Sequence, residues 1–124
     1  MTATNGLAQK IAEAYARAWT SGDVDKAMTY LADDIVCDAP AGRVEGVAAY
    51  RPFTQEFVDV LTSATITKVL ADDTSAAIVY SFDTQWVKDF RCMEYVTVED
   101  GKIKHILTVF DRLPAAEAAR HAEG

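Results

Sequence analysis

Glu94 is the residue whose surroundings most favour acid–base chemistry. It stands in the run Cys92-Met-Glu-Tyr-Val-Thr-Val98, whose β-branched and aromatic residues predict a strand. Because side chains alternate along a strand, Glu94 faces the same side as Val96 and Val98. If that side is the interior, burial raises the pKa of the carboxyl and makes it a general acid or base near neutral pH. The alternative is a surface glutamate paired with Lys or Arg.

Tyr15 is a second candidate, because a phenol on the inner face of a helix can donate a hydrogen bond to a ligand. Apolar residues recur here at i, i+4, i+8 and i+12, which predicts one face of a helix that runs to about Thr20. The row consists of Leu7, Ile11, Tyr15 and Trp19. The alternative is a core tyrosine whose hydroxyl bonds a backbone carbonyl.

Histidine and cysteine residues give weaker signals for chemistry. His105 is predicted on the strand face opposite Thr108 and Phe110, and that face packs against a partner or solvent. Cys37 and Cys92 lack a CxxC spacing and a neighbouring histidine, so we predict buried free thiols. Because the sequence has no glycine fingerprint, P-loop or metal-ligand cluster, we expect neither a cofactor nor a metal ion.

Composition limits the class of protein. A chain of 124 residues, half of them apolar, suits one domain with one core. We expect a single domain over residues 1–124, with its core at about 7–113 and a tail at 114–124. The net charge of −7 and the lack of a Lys/Arg cluster argue against nucleic-acid binding. We find neither a signal peptide nor a stretch of ~20 apolar residues, so we expect a cytoplasmic protein without a membrane partner.

Three helices are predicted before a run of strands. The first ends near Gly22, the second is capped by Asp23, and the third carries Tyr50, Phe53 and Phe57. The predicted strands cover 35–39, 64–70, 76–85, 90–98 and 102–110. Helices grouped before a long antiparallel sheet indicate an α+β domain rather than a doubly wound one. Such a sheet twists and curls, so the helices close its concave face and leave a cavity.

Aromatic side chains on these converging elements are expected to close the core and to wall the cavity. The candidates are Trp19, Phe53, Phe57, Tyr80, Phe82 and Phe110. A cavity with such walls would take a small apolar ligand.

The order of elements and three short motifs resemble a known superfamily. The motifs are Tyr15-Ala-Arg-Ala-Trp-Thr-Ser-Gly22-Asp23, Tyr30-Leu-Ala-Asp-Asp34 and Asp100-Gly-Lys-Ile103. Over about residues 7–113 the chain resembles the SnoaL-like and ketosteroid-isomerase-like branch of the nuclear transport factor 2-like superfamily. This resemblance implies a cystatin-like cone, in which three N-terminal helices pack on a curved, mostly antiparallel sheet that encloses a pocket. Members include isomerases, cyclases, epoxide hydrolases, binding domains and assembly domains.

The resemblance implies roles for the two candidate residues. In the isomerases, a first-helix tyrosine seven residues before the glycine of a Gly-Asp pair donates to the substrate oxygen, and Tyr15 has that spacing from Gly22. Its partner in the isomerases is a protonated carboxylic acid near the position of Glu94. Tyr15 and Glu94 are therefore the residues that the resemblance implies to be catalytic.

Two acids of the superfamily are missing from their expected positions. The isomerases carry their base immediately before a proline, where this chain has Ala39 before Pro40. The cyclases and epoxide hydrolases carry an aspartate on the last strand, where this chain has Thr108. We expect Ala39 and Thr108 only to line the pocket, with Asp38 on the opposite strand face.

Three functions stay open at this point. The first is an isomerase or cyclase that acts by cofactor-free proton transfer on an apolar carbonyl or enol compound. The second is a non-catalytic protein that binds a ligand in the same cavity. The third is an assembly domain that uses the convex sheet face to form a homodimer or to dock a partner. Ile103, Leu107 and Val109 are expected to be exposed there.

Overall fold

The computed structural model describes residues 6–111, which form three helices and six strands. The helices are α1 (Leu7–Thr20), α2 (Val24–Met28) and α3 (Val47–Val60). The strands are β1 (Leu31–Ala39), β2 (Gly42–Glu45), β3 (Leu61–Ala71), β4 (Ser75–Thr84), β5 (Phe90–Glu99) and β6 (Lys102–Phe110). The tail predicted at 114–124 lies outside the described residues. Within residues 6–111, no helix has the length and apolar character needed to cross a membrane.

All six strands belong to one mixed sheet of order β2-β1-β6-β5-β4-β3. Strands β3 to β6 form the predicted antiparallel meander, and β1 pairs with β6 in parallel. Strand β2 is not among the predicted strands, and it pairs with β1 as an antiparallel hairpin. The α+β class and the helices packed on a curved, mostly antiparallel sheet are confirmed.

Helix α1 packs on the sheet through alanines and aromatic residues. Ala8, Ala12, Tyr15 and Ala16 are fully buried, and Trp19 is nearly so. Leu7 was expected in this row but is exposed. A row spaced by four residues drifts around the helix by about 40° per step, because an α-helix has about 3.6 residues per turn. The end of the row that carries Tyr15 and Trp19 therefore faces the sheet, while its beginning faces solvent.

The junction between α1 and α2 follows the predicted pattern. Gly22 adopts φ +97°, a conformation that residues with a Cβ rarely adopt, and its N–H donates to the Trp19 carbonyl. Asp23 then accepts a hydrogen bond from the backbone N–H of Lys26 at 3.0 Å, which caps α2. This tight end fixes the last turn of α1, from which Trp19 reaches the sheet.

The face assigned to Ile103 was wrong. The pairing of β5 with β6 shifts between Thr97 and Val98, and Lys104 is the extra residue on β6. This bulge turns Ile103 to the inner face, where its exposed fraction is 0%. Leu107 lies beyond the bulge and is exposed on the outer face, as expected.

Candidate active site

A cavity of about 410 Å³ lies between α1, α3 and the inner face of the sheet. Its walls are mostly aromatic, formed by Trp19, Phe53, Phe57, Phe82, Phe90 and Phe110, with Trp86 near solvent. The rings of Phe57 and Phe82 meet edge to face with centroids 5.2 Å apart. Such walls exclude water and favour an apolar ligand.

Glu94 is the acidic group buried in this cavity. Strand alternation places it inward beside Val96, and only 5% of the residue is exposed. Its Oε1 accepts a hydrogen bond from the Tyr80 hydroxyl at 2.7 Å. Its Oε2 lies 3.4 Å from the Tyr15 hydroxyl, which donates to it. The strongest hydrogen bonds of the carboxyl, one short and one long, therefore both come from phenols.

Two further contacts extend this arrangement into a chain of hydrogen bonds. The hydroxyl groups of Tyr15 and Tyr50 are 2.6 Å apart, across the gap between α1 and α3. On the other side, the indole N–H of Trp19 donates to the Tyr80 oxygen at 3.2 Å. Among the described residues, every buried side-chain nitrogen and oxygen has a partner. The polar end of the cavity is thus fully paired without a cation.

Burial dominates the electrostatics of the site. It raises the pKa of Glu94 from 4.5 to about 7, although hydrogen bonds from Tyr80, Tyr15 and other neighbours oppose the rise. Burial likewise raises the pKa values of Tyr15, Tyr50 and Tyr80 well above the ordinary value of 10.0. Near neutral pH the phenols are therefore neutral donors, while Glu94 exchanges a proton.

The sequence matches the family model of the SnoaL-like domain over residues 12–106. The chain belongs to the SnoaL-like family. The resemblance described from the motifs is thereby confirmed. Among the described residues of this SnoaL-like chain, no cluster of His, Cys, Asp or Glu side chains could hold a metal ion.

Solved structures give the same fold. A crystal structure from Kribbella flavida DSM 17836 is 38% identical, with a TM-score of 0.91, and the match covers 96% of this chain and 99% of that one. A candidate ketosteroid isomerase from the same organism is 22% identical with a TM-score of 0.78, covering 90% and 82%. An LEH-like epoxide hydrolase from M. tuberculosis is 18% identical with a TM-score of 0.73, covering 94% and 92%. The last two are similar in fold alone, and the search of curated proteins gives no match.

Most of the predicted site residues of the SnoaL-like domain meet at this cavity. Its lining includes Tyr15, Trp19, Phe53, Phe57, Phe82, Glu94, Thr108 and Phe110. Tyr80 and Ala39 do not line it. Tyr80 lies behind Glu94, and Ala39 stands near the end of β1, partly buried against the core. Strand alternation predicts which face a side chain takes, but it does not predict its distance from a cavity.

Several lining residues were not assigned to the site from the sequence. They are Tyr50, Thr54, Glu56, Val60, Trp86, Phe90 and Cys92. Tyr50, Thr54 and Phe57 are spaced i, i+4 and i+7, so helical periodicity could have placed Tyr50 and Thr54 beside Phe57. Trp86 lies between β4 and β5, where no periodic signal exists.

Asp38 lies on the outer face of the sheet and does not line the cavity. Its carboxylate accepts two hydrogen bonds from Arg43, at 2.8 and 3.3 Å, and contacts His105 at 2.8 Å. The Arg43 hydrogen bond, followed by that of His105, lowers the pKa of Asp38. Asp38 therefore does not replace the acid missing at Ala39.

The two cysteines are free. Cys37 is buried beside Thr108, and burial raises the pKa of its thiol to about 11. Cys92 was predicted to be buried, but it is only partly so, because it lines the cavity next to Glu94. Burial also raises the pKa of its thiol. Because only the thiolate is a good nucleophile, neither cysteine is activated near neutral pH.

Proposed function

We propose that this SnoaL-like protein is a cofactor-free isomerase or cyclase that transfers protons on a small apolar carbonyl or enol compound. One observation carries the proposal: a buried carboxyl whose pKa is about 7 lies in an apolar cavity beside a neutral phenol donor. A general acid–base works best when its pKa is near the working pH. Burial of a carboxyl in an apolar cavity costs free energy, and proton transfer is a function that would offset this cost.

The charges at the cavity favour a ligand without a negative charge. Glu94 and Glu56 are the charged residues of its lining, and no Lys, Arg or His of the described chain lines it. An anionic ligand would lose its hydration there without gaining a cationic partner. The substrate that suits this cavity is uncharged, with one polar end for the phenols and an apolar body for the aromatic walls.

The proposed reaction uses Glu94 as base and Tyr15 as electrophile. Ionised Glu94 takes a proton from the carbon beside the carbonyl, and the electron pair of that C–H bond moves toward the carbonyl oxygen. The Tyr15 hydroxyl donates to this oxygen and stabilises its developing charge. Protonated Glu94 then returns the proton to the same or another carbon, which re-forms the carbonyl.

Proton exchange on 2-tetralone tests this proposal. This uncharged bicyclic ketone has acidic protons beside its carbonyl. When Glu94 has taken one of them, that proton exchanges with D₂O, and the carboxyl then returns deuterium to the carbon. We therefore expect the protein to accelerate the replacement of these protons by deuterium. Proton NMR measures the initial rate against protein-free buffer at the same pD. We expect 2-naphthol, which mimics the enol, to inhibit the exchange. If 2-naphthol binds and no acceleration occurs, the non-catalytic binding function replaces this proposal.

We also propose that the protein is a homodimer through its outer sheet face. Four apolar residues there occupy facing positions on two neighbouring strands, Met93 opposite Val109 and Tyr95 opposite Leu107. Their exposed fractions are 36%, 45%, 42% and 41%. Charges of both signs flank this patch, as in the pair Asp38–Arg43. A second copy related by a two-fold axis could cover the patch and match those charges.

Sedimentation of a Leu107→Lys variant tests the homodimer. At micromolar concentration we expect the wild type to sediment at twice the 13.5 kDa chain mass, and the variant to shift toward the monomer. The lysine would place unpaired charge in the centre of an apolar interface. Leu7→Lys, on the exposed side of α1, is the matched control. A wild type that sediments only as a monomer would contradict the proposal.

Two broader expectations stay predictions. We propose that residues 1–124 form a single domain and that the protein works in the cytoplasm. The first is supported by the one continuous sheet and core of the described residues.

A further inference from the structure

We propose that Trp19 and Tyr80 are positioning residues that restrict proton transfer by Glu94 to one of its two oxygens, Oε2. This inference rests on the proposed function, because it concerns the same carboxyl. It adds a role that neither the sequence nor the family assigns: a pair of side chains behind Glu94 decides which oxygen carries the proton.

The direction of the hydrogen bonds behind Glu94 is fixed by chemistry. The indole N–H of Trp19 can only donate, so in its 3.2 Å contact with Tyr80 the phenol oxygen is the acceptor. The same N–H also interacts with the Glu94 carboxyl, to which it can likewise only donate. The single O–H of Tyr80 is then free to point at Oε1, 2.7 Å away. Tyr80 is fully buried and does not line the cavity, so neither ligand nor bulk water competes for this hydroxyl.

The reverse arrangement leaves a buried group unpaired. If Oε1 carried the proton and donated it to Tyr80, the Tyr80 oxygen would accept from both Glu94 and Trp19. Its own O–H would then have no acceptor, because these two side chains are its hydrogen-bond partners among the described residues. Buried donors without acceptors are strongly disfavoured. Oε1 therefore stays an acceptor in both charge states of Glu94.

The proton must then reside on Oε2, which lies beside Tyr15. The Tyr15 hydroxyl is 3.4 Å from Oε2 and 2.6 Å from the Tyr50 hydroxyl. When Glu94 is ionised, Tyr50 can donate to Tyr15, and Tyr15 to Oε2. When Glu94 is protonated, these hydrogen bonds can reverse, with Oε2 donating to Tyr15 and Tyr15 to Tyr50. The Tyr50 O–H then has an acceptor in the neighbouring Thr54 hydroxyl or in the cavity that both residues line. The hydrogen bonds through Tyr15 and Tyr50 can thus reverse when Glu94 takes up a proton, whereas those through Tyr80 and Trp19 cannot.

Glu56 on α3 is the other charged residue of the cavity lining. The titratable groups that interact directly with Glu94 stay neutral while it titrates. They are Tyr15 on α1, Tyr50 on α3, Tyr80 on β4, Cys37 on β1 and Cys92 on β5. Burial raises the pKa of each of them above its ordinary value. A spectroscopic titration of this cluster near neutral pH therefore reports Glu94.

Infrared spectroscopy of the full chain distinguishes the two oxygens. The carbonyl stretch of protonated Glu94 is the band that vanishes as pH rises and is missing in Glu94→Gln. With the proton on Oε2, the carbonyl oxygen is Oε1, which accepts from Tyr80. Tyr80→Phe removes that hydrogen bond and should shift the band to higher wavenumber. Tyr15→Phe should shift it far less. Tyr30→Phe, outside the cavity, is the control that should leave the band in place.

The opposite result is equally clear. If the proton resides on Oε1, the carbonyl oxygen is Oε2, so Tyr15→Phe would raise the band and Tyr80→Phe would hardly change it. That order, or an unshifted band in Tyr80→Phe, overturns the proposal. The measurement needs no turnover, so it stands even if the exchange of 2-tetralone fails and the proposed reaction is abandoned.

The pH midpoint of the same band is a second readout. Ionised Glu94 loses one donor in Tyr80→Phe, so the midpoint should rise by about 1 pH unit, equivalent to ~1.4 kcal/mol. Trp19→Phe keeps the Tyr80 hydroxyl but frees its direction, and it also removes the weaker interaction of the indole N–H with Glu94. We expect a smaller rise of the midpoint in this variant. This second variant carries the test if Tyr80→Phe does not fold. Midpoints equal to the wild type in both variants would contradict a positioning role.

Discussion

Glu94→Gln is expected to slow the exchange of 2-tetralone protons by a factor of about 10²–10⁴, the usual contribution of a general acid or base. The amide has the shape of a protonated carboxyl. Its oxygen can accept from Tyr80 and its NH₂ group can donate to the Tyr15 oxygen, so the hydrogen bonds at 2.7 and 3.4 Å can be retained. Because it cannot accept a proton from carbon, the loss falls on the chemical step. Binding of 2-naphthol should change little.

A matched control separates this effect from a general loss of charge. Glu99→Gln removes an exposed carboxyl from the same strand and should leave the exchange rate unchanged. In the wild type the rate should rise with pH through about 7, because the base form of Glu94 is required. A Glu94→Gln protein that exchanges 2-tetralone at the wild-type rate would remove Glu94 from the mechanism.

The face of Glu94 could be predicted because its strand alternates without interruption from Phe90 to Val98. Even-numbered residues of this run point inward, and burial follows the same period. The face of Ile103 could not be predicted in this way. The bulge at Lys104 changes the alternation of β6, and no glycine or proline marks it. The bulge is a feature of the register in which β6 pairs with β5, and this register cannot be read from the sequence of β6 alone.

Tertiary placement also decided which inward residues reach the cavity. Tyr80 and Phe82 are both inward on β4, but Phe82 lines the cavity and Tyr80 lies beneath Glu94. That difference depends on where α1 and α3 cross the sheet. The parallel pairing of β1 with β6 is likewise a property of the whole chain. Local periodicity predicts the elements and their faces, and only the assembled layers determine their distances.

Stability should depend on pH through Glu94, with a sign fixed by its raised pKa. In the unfolded chain the carboxyl has its ordinary pKa of 4.5, whereas in the folded protein the pKa is about 7. Below pH 4.5 both states are protonated, so the group contributes no pH dependence. Between the two values only the unfolded state releases its proton, and the free energy of unfolding falls as pH rises. Above about 7 both states are ionised and the penalty is constant.

The loss of stability caused by ionisation of Glu94 is large enough to measure by comparison with Glu94→Gln, which lacks the carboxyl. A difference of this size between the folded and unfolded pKa values corresponds to about 3 kcal/mol. We therefore expect the free energy of unfolding of Glu94→Gln, minus that of the wild type, to increase by this amount between pH 4 and pH 8. Urea denaturation at fixed protein concentration gives both values.

Taking the difference between the free energies of unfolding of the two proteins removes the contributions of the other acidic residues. Hydrogen bonds, from Lys104 to Asp34 and from Arg43 to Asp38, lower the pKa values of these aspartates. They stabilise both proteins at high pH and lose that contribution as pH falls, so their effects cancel in the difference. Glu99→Gln gives the background effect of removing one exposed carboxyl. A difference between Glu94→Gln and the wild type that stays constant from pH 4 to pH 8 would mean that Glu94 titrates normally. The carboxyl would then lack the raised pKa on which the proposed proton transfer depends.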